Sequence, residues 1–361
     1  MDMSLNDIEA IGLTTSKPMM GYFCSYTPVE LIHAAGFFPR RIFGQAQSMQ
    51  RAHGYLHSNL CPYVQSCLEM ALDGSLNNLR GVVFVNSCNA MQRLSEVWRQ
   101  YIKTPFIHIL DLPKGTGEAD GVYFEQEIRK LSDALGQKTS LTFDGDALTI
   151  SIRKYSEARK LLGQLHQLRN RNRAALTASE MVRVINASVT VPVEEFSPWL
   201  QQYLQTFAPK TEAHISDKPR ILLAGGIINQ PDIIAFFENC GADIVALDLC
   251  TGERSYKVEV GEEPPGFYNL TRAYLRKPPC ARMNDIEAEK RYLSESIAEH
   301  KVSGVIYYSL KFCDTHLYNI PRLKQFFAEK NIKSLFLEGD YTMSTMGQMQ
   351  TRIEAFLEMM L

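Results

Sequence analysis

The 361-residue chain has no apolar run near the roughly 20 residues that a bilayer-spanning helix needs, so no membrane segment is expected. Its opening residues, MDMSLNDIEAIGL, are acidic and lack the basic and apolar regions of a secretory signal. Charge of one sign is also lacking. The formal net charge is -2, which offers no handle for nucleic acid or for an anionic membrane surface. No G-x-x-x-x-G-K-[ST] occurs, which argues against ATP hydrolysis by this chain. The stretch AGGIINQPD contains glycine but not G-x-G-x-x-G spacing, so no dinucleotide cofactor is indicated. There is no low-complexity tract and no short-period repeat. Hydrophobic residues make up 45% and charged residues 22%, as in a soluble globular protein, and a cytoplasmic location is expected.

The length suggests two domains. PMMGYFC reads as a strand ending at Cys24, and TPVELIHAAG as a helix with Thr27 as N-cap, Pro28 at the first helical position and Gly36 as terminator. NLCPYVQSCLEMALDG starts a helix just after Cys61. GVVFVNSC is a strand running to Cys88, NAMQRLSEVWRQYI a helix, and TPFIHILDLP a further strand. Residues from about 123 to 207 have helical periodicity and few strand signals. Alternation resumes at KPRILLAGG. The next strands run into Cys250 and Cys313, SLFLEG is another, and GQMQTRIEAFLEMML is a closing helix. Strands alternating with helices predict parallel sheets with crossovers. The expected divisions are an N-terminal α/β domain over 1–121, a helical connecting segment over 122–213 and a C-terminal α/β domain over 214–361.

Against these absences stand eight cysteines. In a large cytosolic protein disulfides are not expected. Cys67 lies mid-helix and Cys240 at a helix end before a glycine, so both read as small buried hydrophobes. Cys24, Cys88, Cys250 and Cys313 fall at or just past strand ends, Cys61 opens a helix, and Cys280 sits in the irregular loop RKPPCARM. Ligands of open α/β sheets bind beyond the carboxyl ends of the strands. The same placement at six cysteines points to metal ligation. There is no C-x-x-C pair, which disfavours structural zinc, and cysteines with few usable histidines favour an iron–sulfur cluster. A thiol nucleophile is the alternative for any single cysteine; His316 is the only histidine near Cys313 that could serve it as base. His33 and His166 lie within helical patterns and read as packing or surface residues.

GYFCSYTPVELIHAAGFFPRRI, NLCPYVQSCL, GVVFVNSCNAMQRLSEVWR, TPFIHILDLP, ALDLCTG, PCARM, GVIYYSLKFCDTHLY and LEGDYTMSTMGQMQTRIEAFLEMML occur in this order. In these stretches the chain resembles the 2-hydroxyacyl-CoA dehydratase D-component family, which includes 2-hydroxyglutaryl-CoA dehydratase and benzoyl-CoA reductase subunits and the double-cubane cluster proteins. The resemblance implies two flavodoxin-like α/β domains with a cluster between them. It implies a single 4Fe-4S cube on Cys61, Cys88 and Cys313, with one iron open, as in the dehydratases. Alternatively it implies a double-cubane 8Fe-9S cluster on Cys24, Cys61, Cys88, Cys250, Cys280 and Cys313. It implies an ATP-hydrolysing iron–sulfur activator as partner, an identical or paralogous second subunit, and an acyl-CoA or small-molecule substrate. In the dehydratases one low-potential electron makes a ketyl radical on the acyl-CoA and hydroxide leaves. Ser25, Ser87, Lys311, Asp314 and His316 are the candidates for polar catalytic roles. Asn89 stands where an aspartate is common, Thr315 where a proline is common and Gly339 where a threonine is usual. Asn89 removes a charge beside the cluster site, which would raise its potential. A reading of another class is a non-catalytic electron carrier or scaffold, and the blandest is a metal-free α/β binding protein.

Overall fold

The computed structural model describes residues 5–45, 48–139, 145–173, 175–207, 217–261, 266–341 and 346–360. The first half comprises α1 (Leu5–Thr14), β1 (Met19–Tyr22), α2 (Val29–Ala34), β2 (Phe38–Arg41), α3 (Pro62–Leu72), β3 (Leu79–Val85), α4 (Asn89–Tyr101) and β4 (Ile107–Leu110). Four consecutive helices follow: α5 (Glu118–Thr139), α6 (Gly145–Arg171), α7 (Ala178–Thr190) and α8 (Val193–Phe207). The second half comprises β5 (Arg220–Gly225), α9 (Pro231–Asn239), β6 (Asp243–Asp248), α10 (Glu253–Tyr256), α11 (Phe267–Arg276), α12 (Ile286–Glu299) and β7 (Gly304–Leu310). It ends with α13 (Asp314–Leu317), α14 (Ile320–Glu329), β8 (Lys333–Gly339) and α15 (Met346–Glu358). The division expected at 121/122 falls within α5, and the one at 213/214 lies outside the described residues.

Each half holds one four-stranded sheet, ordered β2-β1-β3-β4 and β6-β5-β7-β8, and every pairing is parallel. Counted from its own first strand, each sheet has the order 2-1-3-4, the start of the flavodoxin-like order. The α/β expectation with parallel sheets is thus borne out. Continuous apolar strands have a physical reason here. On β7, Ile306, Tyr308 and Leu310 join the main core while Val305 and Tyr307 join a second one beneath α12 and α14. A sheet covered on both faces needs apolar residues at both parities.

Three local readings differ. The edge strand β2, FPRR, carries a proline and two arginines and gives no apolar signal; Pro39 is tolerated because β2 pairs on one side only. Helix α1 packs on α7 and α8, where Arg183 Nε meets Glu9 Oε1 at 2.9 Å. Helix α2 begins at Val29 with Pro28 as its N-cap. The Thr27 N–H is drawn back to the Cys24 carbonyl at 3.0 Å, so the turn around Cys24 delays the helix. Gly36, at φ 81°, ends it as expected.

The helical segment packs α6 on α2 and α8, α7 on α9, and α5 on α11, so it bridges both halves. A buried polar knot fixes that bridge. Arg159 of α6 pairs with Glu30 of α2 at 2.6 Å, and the Tyr274 hydroxyl of α11 donates to Glu30 Oε2 at 2.8 Å. Removing the acid leaves a buried guanidinium uncompensated. Glu30→Gln should therefore lower unfolding stability by ~3–5 kcal/mol, read as a shift of the urea midpoint.

Candidate functional site

Parallel strands place the loops after their carboxyl ends on one side of each sheet, and here those sides face one another. Cys24 follows β1, Cys88 follows β3, Cys250 follows β6 and Cys313 follows β7. Cys61, Cys88 and Cys313 are the N-caps of α3, α4 and α13. Phe312 takes a left-handed backbone, φ 57°, to turn the chain into Cys313, a conformation a bulky residue adopts only under constraint. Cys280 lies between α11 and α12, and its loop docks on the first half: Arg282 donates to the Asn86 carbonyl at 3.2 Å and Asn284 N–H to the Lys114 carbonyl at 2.7 Å.

The six expected thiols meet. The Cys250 and Cys280 side chains hydrogen-bond each other, and so do Cys61 and Cys313. Cys88 feels the charge of Cys313 and of Cys24, and Cys24 that of Cys250. Cys61 and Cys313 thus pair with Cys88 nearby, and Cys250 and Cys280 pair with Cys24 nearby, while Cys313 also lies near Cys250 and Cys88 near Cys24, so the two trios adjoin. Cys67 and Cys240 stand apart: Cys67 is fully buried in α3 and Cys240 caps the end of α9. Cys67 is the small buried hydrophobe expected, whereas Cys240 is only partly buried.

Burial pushes the thiols of Cys24 and Cys88 up. Backbone N–H groups offset this, Tyr26 toward Cys24 and Met91 toward Cys88, and the Ser87 side chain also favours the Cys88 thiolate. Cys313 is raised by sharing a proton with Cys61 and then by burial. Cys250 is the exception. Its bond from Cys280 and the charges of Arg254, Arg41 and Lys277 overcome burial and draw it down to about 5. Cys280 rises correspondingly, first through that same bond.

Those three cations were not legible as site residues. Arg254 Nε pairs with Asp248 at 2.7 Å while its Nη1 reaches Cys250 Sγ at 3.9 Å. Arg41 Nη1 donates to the Cys250 carbonyl at 2.8 Å. Lys277 Nζ donates to Ser25 O at 2.7 Å and Ser25 Oγ at 2.8 Å, and stands 4.1 Å from the Tyr26 ring centroid. Burial holds the Lys277 ammonium down to about 7 although the thiols of Cys24, Cys250 and Cys280 favour it. Among the described residues no carboxylate pairs with Arg41 or Lys277, whose partners are neutral oxygens. Spacing was the available signal for two of them: Lys277 precedes Cys280 by three residues and Arg254 follows Cys250 by four. Arg41 arrives only through the β1–β2 pairing.

The polar candidates divide. Ser25 anchors Lys277 and Ser87 touches the Cys88 thiol. His316 is buried, its Nδ1 2.7 Å from the Tyr307 hydroxyl, and burial with Arg254 lowers it to about 3, so its ring stays neutral. Lys311 pairs with Asp340 at 3.2 Å on a partly exposed surface, and Asp314 and Asn89 are exposed. Gly339 has a local reason: a Cβ there would collide with the Tyr308 hydroxyl, which donates to the Asp340 carbonyl at 3.1 Å. A cavity of 1420 Å³ opens along Lys277, Pro278 and Pro279, the residues before Cys280, and its lining carries seven Lys or Arg side chains against four Asp or Glu. Among the described residues no helix is long and apolar enough to cross a membrane.

Two matched parallel sheets that converge on six thiols, Cys61 buried and the other five partly so, and a cation-rich rim define a two-sheet α/β enzyme component with a thiol centre. The chain belongs to the 2-hydroxyglutaryl-CoA dehydratase, D-component, family, whose model matches residues 24–360. It is therefore an enzyme component of the dehydratase and reductase type. It is 29% identical over 343 residues to one of the subunits of benzoyl-CoA reductase from Thauera aromatica, covering 93% of this chain and 88% of that one. It is 24% identical over 346 residues to the (R)-phenyllactyl-CoA dehydratase beta subunit of Clostridium sporogenes, covering 95% and 92%. To the (R)-2-hydroxyglutaryl-CoA dehydratase beta subunit of Acidaminococcus fermentans it is 25% identical over 350 residues, with the same coverage.

In metal-free protein the Cys250–Cys280 pair should keep one thiolate through neutral pH. A depressed thiol stabilises the fold above its ordinary range and loses that contribution as pH falls through about 5. Ultraviolet thiolate absorbance against pH should show this late step, and Cys250→Ser should abolish it. Absence of thiolate at neutral pH would contradict the assignment.

Proposed function

We propose that the chain is the cluster-bearing component of a low-potential, ATP-activated reductase or dehydratase system, with a double cubane held by Cys24, Cys61, Cys88, Cys250, Cys280 and Cys313. The observation that carries this reading is the meeting of two thiol trios beside buried cations that have no carboxylate partners. A buried cation needs nearby negative charge, and soft thiolates supply it while suiting iron–sulfur chemistry. When bound, such a cluster supplies single electrons at low potential. The chain's own residues hold it through thiolates, offset its charge through Arg41, Arg254 and Lys277, and keep water out by burial. Ser25 positions the Lys277 ammonium, Ser87 supports Cys88, and the neutral His316 ring, hydrogen-bonded to Tyr307, lies behind Cys313 as a polar group that orients rather than protonates. Lys311 and Asp314 sit on the more exposed side of the Cys313 loop.

The electron would come from an ATP-hydrolysing iron–sulfur activator, since this chain has no phosphate loop of its own. The relatives are named as subunits, which supports pairing with a paralogous chain or a second copy. Their names also support an acyl-CoA substrate, and the excess of basic side chains along the cavity suits its phosphates. The cavity itself favours catalysis over a pure electron carrier. A cytoplasmic setting fits this chemistry. A second reading is a single 4Fe-4S cube on Cys61, Cys88 and Cys313, supported by the Cys61–Cys313 contact with Cys88 close to Cys313.

Anaerobic purification followed by iron and acid-labile sulfide analysis should give about eight irons per chain; about four would favour the single cube, and none would overturn both readings. Cys88→Ser and Cys313→Ser should bleach the brown absorbance under either reading. Cys280→Ser should halve the iron only under the first.

A further inference from the structure

We propose that His166, Glu253 and His300 form a second metal site, independent of the thiols, for a divalent first-row transition ion of the zinc type. They come from α6, the start of α10 and the end of α12. All three are buried, at 8%, 1% and 4% exposure, and a ligand atom from each lies within 4.8 Å of the others. Two imidazoles and one carboxylate are a nitrogen and oxygen donor set that suits zinc, whereas the six thiols suit iron–sulfur chemistry.

Asn170, one turn after His166, supports the assignment. Its side-chain amide nitrogen lies 3.1 Å from His166 Nε2 and 3.5 Å from His300 Nδ1. In that orientation its buried Oδ1 has no hydrogen-bond partner, and neither has the buried Nε2 of His300. Turning the amide over places the oxygen against both rings, where it accepts from His166 Nε2–H and His300 Nδ1–H. Both tautomers are then fixed, and the lone pairs fall on His166 Nδ1 and His300 Nε2. Metal-binding histidines need this kind of outer support on the nitrogen that does not ligate. In the turned orientation the amide oxygen gains two donors, and His300 Nε2, which lies 3.9 Å from Glu299 Oε2, keeps its lone pair.

Glu253 already attracts a cation. Its Oε2 holds the Lys257 ammonium at 2.8 Å and accepts from the Tyr292 hydroxyl, while Oε1 accepts from the Leu247 N–H at 3.3 Å. The Lys257 side chain is 34% exposed and lines the 1420 Å³ cavity, so it can leave the carboxylate to a metal ion. His166 and Asn170 line the same cavity, which provides an entry path and a water for the fourth position. An ion here would tie the connecting helices to the second sheet through α6, α10 and α12.

The test uses anaerobically purified, full-length, iron-loaded protein incubated with zinc and then dialysed. Elemental analysis should find one zinc per chain, and zinc X-ray absorption should show imidazole and oxygen ligation without sulfur. His300→Ala should lose the zinc while iron content stays unchanged. Asn170→Ala keeps every ligand and should weaken zinc binding roughly 10–100-fold, which decides the matter if His300→Ala fails to fold. No retained zinc, zinc bound through sulfur, or unchanged zinc affinity in the Asn170 variant would overturn the proposal. Iron content reports the cluster reading separately, so the two can fail independently.

Discussion

Positive charge buried without matching carboxylates is the constraint around which the centre of this protein is arranged. Arg41 and Lys277 are 3% and 4% exposed, and only Arg254 among the three thiol-side cations has an acid, Asp248. Taking an unpaired cation out of water costs several kcal/mol even after relaxation. Carbonyl and hydroxyl oxygens offset part of it, and a thiolate at Cys250 offsets more. The two unpaired cations also cross the junction in opposite directions. Arg41, from the first sheet, reaches the Cys250 carbonyl, and Lys277, from the second half, reaches Ser25. Each cation therefore makes polar contacts across the junction, so the groups that favour thiolates also link the two halves.

The two sheets repeat a plan, and the thiols follow it only in part. Cys88 and Cys313 each follow the third strand of their sheet as helix N-caps. Cys61 and Cys280 each sit in the connection from second to third strand. The plan breaks after the first strand. Cys24 follows β1, but β5 ends in Gly225, where a Cβ would fall onto the Tyr308 carbonyl. The chain needs φ 137° there and glycine supplies it, while Gly226 accepts the Cys250 N–H at 3.2 Å. The second half therefore places its remaining thiol after its second strand instead.

Much of this was legible in the sequence because parallel sheets covered on both faces write themselves as continuous apolar runs. GVVFV and GVIYY could not be mistaken, and the cysteines just past such runs marked the site. FPRR was silent because an edge strand can carry proline and charge, and Arg41 was therefore invisible as a site residue. The three-dimensional pairing of Cys61 with Cys313, and the knot of Glu30, Arg159 and Tyr274, join residues from different halves, which no local pattern records. His166 read as packing because its partners, Glu253 and His300, lie far along the chain.

Each thiol trio draws on both halves: Cys61 and Cys88 wait for Cys313, and Cys24 waits for Cys250 and Cys280. A nascent chain that has completed only its first sheet presents three thiols that cannot yet form either trio. Assembly of the centre is thereby ordered in time. The second sheet must fold and dock before either trio exists, so a chain lacking it would present its first three thiols without their partners.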